Sequence, residues 1–256
     1  MFGIELATWL LVFLRASGLL AVFPLFTARN FPVQLRVALS ALLALLIAPG
    51  LPAPNLQALP LAALLGRMSQ ELLIGLLLGF ASRMLFYALD VAGGLISSEM
   101  GLNLPATLNP FADTQLTVPA LILYYLAAVL FLSLDLHHWL LVAFQRSYAI
   151  LPMGASRLEQ GLLADLLGRT CRIFEIAARM AAPFIGVSFI VTLVFSVLGR
   201  AVTQMNVFAE SFAVRTLAGL VVFGLSCELL GQHILHYLRR LPEDVLRVAQ
   251  LLAGNA

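Results

Sequence analysis

Six long apolar runs dominate the chain, and charged residues sit inside nearly all of them. The runs cover Leu6–Phe26, Val33–Ile47, Glu71–Ile96, Val118–Val142, Phe174–Leu198 and Phe212–Leu238. A helix needs about 20 mostly apolar residues to cross a hydrocarbon core. Lipid offers the backbone no hydrogen-bond partners, so spanning segments must be helices or closed barrels. Composition agrees: 61% of the 256 residues are hydrophobic and 11% charged, whereas a soluble domain carries about 25% charged residues. The expected fold is all-α, a polytopic membrane protein of about six hydrophobic helical segments. The N-terminus lacks a basic segment and carries Glu5 just before the first run, so that run reads as the first span rather than a cleaved signal.

Arg15, Arg83, Asp90, Asp135, Glu175, Arg179 and Glu228 all fall within these runs. A charge at the bilayer centre costs roughly 2.5–3.5 kcal/mol on insertion scales, so such side chains face protein or water rather than lipid. Arg83 and Asp90 stand two helical turns apart on one face. Glu175 and Arg179 have the i, i+4 spacing of a direct pair. So many charges point to an aqueous path or to contacts with other subunits. A lone bundle bathed in lipid would not tolerate them.

The stretch "AGGLISSEMGLNLPATLNPFADTQ" (92–115) interrupts the apolar pattern most sharply. Gly93, Gly94 and Gly101 allow close backbone approach or a sharp turn. Pro105 and Pro110 exclude a continuous helix. Asn109-Pro110-Phe111-Ala112-Asp113 has the residues of a turn, with Pro110 suited to its second position. Irregular backbone at membrane depth is tolerated only where protein buries it or it lines a cavity. The segment is therefore either a solvated connection or a loop that lines or plugs a pore. A second polar patch, Thr203-Gln204-Met205-Asn206, follows Gly199, which reads as the residue just past a helix end. It is either a plain hairpin connection or a place where the Gln204 and Asn206 amides bond between helices or subunits.

Catalytic patterns are absent. There is no G-x-S-x-G, no H-E-x-x-H, no dinucleotide-binding glycine motif and no lysine anywhere, hence no phosphate-loop lysine. The chain is not expected to be an enzyme, and no cofactor is expected. Asp135, His137 and His138 lie close in sequence, but adjacent histidines on a regular helix point to different faces, so no metal site is expected. Trp139 reads as an interfacial anchor. Cys171 and Cys227 are isolated and read as small apolar residues within helices. Net charge of +2 leaves no nucleic-acid footprint.

With six spans both termini share a side. That side carries Arg67, Arg146, Arg157, Arg169, Arg172, Arg239, Arg240 and Arg247, against Arg29, Arg36, Arg200 and Arg215 opposite. The bias predicts cytoplasmic termini.

Taken in order, "RASGLLAVFPLF" (15–26), "FPVQLRVALSALLALLIAP" (31–49), Glu71-Leu-Leu-Ile-Gly to Gly79, the 92–115 stretch, His137-His138 before Ser147 and Pro152, and "QMNVF" (204–208) resemble the FliR family of flagellar biosynthesis proteins. They resemble almost equally the SctT-type subunits of virulence type III secretion. The similarity spans essentially the whole chain. It implies a structural, pore-forming subunit of a type III export gate, built of helical hairpins packed in a hetero-oligomer. Unfolded export substrates would pass through it across the bacterial inner membrane, in the basal body of a flagellum or injectisome. It implies FliP-like and FliQ-like gate partners, a FlhB-like protein outside, and contact with membrane lipid. It also implies a FliP-like part over residues 1–165 and a FliQ-like hairpin and tail over 166–256, joined near 160–175. The loop of about 101–118 would plug the closed channel through Leu104, Pro105, Asn109, Pro110, Phe111, Asp113 and Gln115. Inter-helix or inter-subunit polar contacts fall to Arg15, Glu71, Arg83, Asp90, Glu175, Arg179, Gln204 and Asn206. Two departures stand out: Thr203 replaces the proline usual before the glutamine, and Ser211-Phe212-Ala213 replaces a Gly-Phe-Pro run. Both imply a less kinked turn. A secondary transporter using Arg83, Asp90 and Glu175 is the competing reading, but no inverted repeat supports it.

Overall fold

The structure, a computed structural model, describes residues 6–27, 31–52, 60–102, 117–155, 160–202 and 206–254. Among these residues every regular element is helical. Helix α1 (Leu6–Val22) is followed by the short α2 (Pro24–Thr27) and by α3 (Val33–Ile47), which runs into a 3₁₀ turn at Ala48–Gly50. Then come α4 (Leu61–Glu99), α5 (Val118–Ser133), α6 (Leu136–Ile150), α7 (Gln160–Ala201), α8 (Val207–Leu238) and α9 (Leu241–Leu252).

Proline sets several of these boundaries, because it offers no backbone N–H and its ring excludes a preceding helical turn. Pro24 separates α1 from α2. Pro32, with extended backbone, precedes α3, and Pro49 turns the end of α3 into a 3₁₀ turn. Pro60 supplies the carbonyl that accepts the first bonds of α4, from the Ala63 and Leu64 N–H groups. Pro183 sits inside α7, a position that removes one helical hydrogen bond.

Among the described residues four helical stretches are long and apolar enough to span a bilayer: Val33–Gly50, Leu61–Glu99, Gly161–Ala201 and Ala209–Leu252. The pair α5 and α6 passes that test only jointly, with a break between them, while α1 is a shorter apolar helix. The six apolar runs of the sequence are thus all helical, but the fourth is not one continuous helix. Asp135 breaks it, with φ 54° and ψ 23° in the left-handed region. No proline or glycine announces that break. Gly199 also differs from expectation, since α7 continues through it to Ala201. Helix α4, with 39 residues, extends roughly 58 Å at about 1.5 Å per residue. That is nearly twice the ~30 Å hydrocarbon thickness.

The chain forms two compact units that do not follow chain order. The first comprises Met1–Leu85, Leu134–Arg169 and Arg239–Ala256; the second comprises Phe86–Ser133 and Thr170–Leu238. In the first unit α1 packs on α3, and α9 packs on α6. Helix α9 is strongly two-faced: Leu241, Val245, Val248, Ala249 and Leu252 share one stripe and are buried. Pro242 and the acidic pair Glu243 and Asp244 occupy its first turn, where a missing N–H costs nothing and negative charge suits the helix dipole. In the second unit α5 packs on α8. Phe86 meets Tyr124 edge-on at 5.5 Å, and Phe184 of α7 lies 5.9 Å from Phe223 of α8. Large apolar side chains on α7 and α8 remain exposed, among them Phe174, Phe189, Val197, Leu217 and Leu225. Cys171 and Cys227 lie on these same helices and are exposed as well.

Candidate functional site: a buried charge node and the anchors of the polar loop

In the first unit, Arg15 of α1 is fully buried, and so is Glu71 of α4. Glycines make the approach possible. A Cβ on Gly18 would fall 2.6 Å from the Leu72 carbonyl oxygen, and one on Gly79 would fall 2.6 Å from that of Leu19. Gly75, one turn after Glu71, packs against the Arg15 backbone itself. Small residues at four-residue spacing are how helix backbones come into contact in membranes.

The contact is bidentate. Arg15 Nε donates to Glu71 Oε2 at 2.6 Å, and Nη2 donates to Oε1 at 3.1 Å. The remaining guanidinium donors reach the Leu151 carbonyl at 3.2 Å and, more weakly, Ser147 Oγ at 3.4 Å. The Gly154 N–H donates to Glu71 Oε1 at 3.2 Å, and the Arg15 guanidinium carbon lies 4.0 Å from the centre of the Tyr148 ring. One arginine thus binds α1, α4 and the end of α6 together. Its planar fork suits this work, because a carboxylate can be held at two points while other donors stay available.

A second charge cluster in the same unit fixes α9. Arg169 Nε donates to Asp165 Oδ2 at 2.5 Å, and its Nη1 reaches Asp244 Oδ1 at 2.6 Å. Arg247 Nε adds a contact to Asp165 Oδ1 at 3.2 Å. Sequence reasoning missed this cluster. The i, i+4 spacing of Asp165 and Arg169, and the apolar stripe of 241–252, are the signals that could have found it.

In the second unit, the structure describes both ends of the polar loop. Helix α4 closes with Gly101 at φ +75°; the Leu102 N–H donates to the Ser97 carbonyl at 2.8 Å and the Gly101 N–H to that of Ser98 at 3.1 Å. This bond pair is the Schellman closure, for which a glycine in the left-handed region is the natural residue. Phe212 packs on Gly101, and Thr216 Oγ1 donates to the Met100 carbonyl at 2.9 Å. Glu99 accepts a hydrogen bond from Ser188 of α7. On the far side of the loop, Thr117 Oγ1 donates to the Gly93 carbonyl at 3.2 Å, and Gly93 packs on the Ala120 backbone. Both ends of the loop are therefore fastened to the last two turns of α4. The residues expected to form the plug, Leu104, Pro105, Asn109, Pro110, Phe111, Asp113 and Gln115, lie outside the described residues.

The other polar positions singled out by sequence separate clearly. Glu175 and Arg179 pair at 2.5 Å on an exposed face of α7. Arg83 is half-buried and Asp90 exposed, both on α4. Gln204 lies outside the described residues. Asn206 is exposed and caps its own helix, its Oδ1 accepting the Ala209 N–H at 3.3 Å. That oxygen makes a local cap, because an amide just before a helix finds free N–H groups at hand.

Comparison with known proteins identifies a family. The family model "Bacterial export proteins, family 1" matches residues 6–241. A flagellar biosynthetic protein FliR of Pectobacterium carotovorum subsp. carotovorum is 28% identical, covering 91% of this chain and 90% of its own. The FliR protein of Escherichia coli (strain K12) is 26% identical, covering 93% and 92%. That of Bacillus subtilis (strain 168) is 28% identical over 78% of each chain. The chain belongs to the bacterial export proteins, family 1.

Proposed function

We propose that this protein is a structural, pore-forming subunit of a bacterial type III protein export gate of the flagellar kind, with no chemical step of its own. The observation that carries the reading is the family match over residues 6–241, joined to relatives named FliR that are similar over most of their length. The fold supports it. Helix α4, of about 58 Å, is longer than a lipid-bathed span requires. Exposed apolar faces on α7 and α8 also call for partners as well as lipid. Unfolded export substrates would cross the inner membrane through the assembly in the flagellar basal body. The virulence SctT-type subunit is the sister reading; the flagellar names of the relatives favour the first.

Within this reading the loop of about 101–118 plugs the closed channel, with Phe111 as the obstructing side chain. Its support is the fastening of both loop ends, at Gly101 and at Thr117, to one helix terminus. A plug needs a firm base. Residues 1–165 form a FliP-like part and 166–256 a FliQ-like hairpin and tail. Arg83, Asp90, Glu175, Arg179, Gln204 and Asn206 make polar contacts with neighbouring helices or with FliP-like, FliQ-like or FlhB-like subunits. Purification in mild detergent tests the proposal: the chain should co-purify at fixed ratio with two other small hydrophobic proteins. Recovery only as a monomer or small homo-oligomer would point to a carrier instead.

A further inference from the structure

The break between α5 and α6 brings together three side chains of metal-binding type. We propose that Asp135, His137 and His138 form a binding site for one divalent transition-metal ion of the Zn²⁺ class. On a regular helix these residues would diverge. Here Asp135 lies outside the helix in the left-handed region, and its carbonyl accepts the His138 N–H at 3.0 Å. An aspartate at a helix start ordinarily caps the first free N–H groups with its carboxylate. That of Asp135 makes no such bond. It faces the imidazole of His138 instead, Oδ1 to Nδ1 at 3.5 Å.

That separation is informative. Zinc bonds of about 2.0–2.1 Å at a tetrahedral angle place neighbouring ligand atoms roughly 3.4 Å apart. The two imidazole rings lie 4.1 Å apart between centres, tilted by 36°. Ligand atoms of all three residues fall within 4.8 Å of one another. Two imidazoles and one carboxylate suit zinc, cobalt or nickel; calcium and magnesium prefer all-oxygen shells. The positive end of α6 opposes a cation here, and the Asp135 charge offsets it. Asp135 and His138 are well exposed, with 72% and 67% of their side chains open, so water would complete the shell. A bound ion would tie the residue before α6 to its first turn.

The test uses the full chain in detergent, carrying no polyhistidine tag. Cobalt(II) is titrated while its visible absorption is followed, and Zn²⁺ is then added as competitor. The proposal expects one saturable equivalent displaced by Zn²⁺. Asp135→Asn and His138→Ala should each weaken it at least about tenfold. The double variant His233→Gln/His236→Gln, on α8, should leave it unchanged. Helix content of each variant, read by circular dichroism, confirms that these exposed substitutions keep the fold. Three results would overturn the site: no saturable binding into the millimolar range, affinity that survives both site variants, or affinity lost with His233 and His236. The first would leave Asp135 and His138 as a simple carboxylate–imidazole pair.

Discussion

Arg15 holds Glu71 at two points, 2.6 and 3.1 Å, with neither side chain open to solvent. Removing one member of such a pair strands the other as an uncompensated buried charge, which costs about 3–5 kcal/mol. Replacing both with apolar residues of similar volume is often neutral. Glu71→Ala and Arg15→Met should therefore each lower the unfolding midpoint in detergent sharply. The double variant Arg15→Met/Glu71→Leu should be milder than either. If the single variants unfold like the parent, the node does not hold α1, α4 and α6 together.

Two adjacent glycines of α4 should behave oppositely. A Cβ on Gly93 would run into the Ala120 backbone, which cannot swing away as a side chain can, whereas Gly94 faces open space. Gly93→Ala should destabilise by about 1–3 kcal/mol, the usual penalty of overpacking. Gly94→Ala should be neutral or stabilising by up to about 1 kcal/mol, from helix propensity. Thermal unfolding of the two variants side by side decides the matter.

The Arg169 cluster predicts a local effect rather than a global one. Arg169→Ala leaves Asp165 with only the outer contact to Arg247 and cuts the tie to Asp244. Amide hydrogen exchange over residues 241–252 should accelerate, while the core of α1 and α4 stays protected. Uniform acceleration along the chain would contradict a local latch.

Glu175 and Arg179 give a contrasting case. Their side chains are more than half exposed, at 55% and 62%. Exposed pairs contribute about 0–1 kcal/mol, so Glu175→Gln should scarcely alter the stability of the isolated chain. Loss of co-purifying subunits in the same variant would mark the pair as a partner contact.

The helical class, the six apolar runs and the end of α4 at Gly101 were legible in sequence. Each follows from local pattern: apolar length, proline positions and a glycine able to turn left-handed. The partner of Arg15 was not legible, since Glu71 lies 56 positions away and only helix docking brings it near. Seven-residue spacing singled out Arg83 with Asp90 instead, although Asp90 lies exposed. The break at Asp135 escaped too, because an aspartate can enter the left-handed region without any proline or glycine to announce it. The Asn206 cap was not legible either, because an amide just before a helix can bond the free N–H groups at hand or a neighbouring helix or subunit, and sequence leaves both open.

Ion flow tests most directly whether the loop closes an export channel. Conductance of the assembled gate in planar bilayers should be measured with the parent chain, with residues 105–115 deleted, and with Phe111→Ala. The deletion should raise leakage strongly and the single substitution partially, with subunit composition unchanged. Conductance equal to the parent in both would contradict the plug, and residues 101–115 would then be an ordinary connection between two helices.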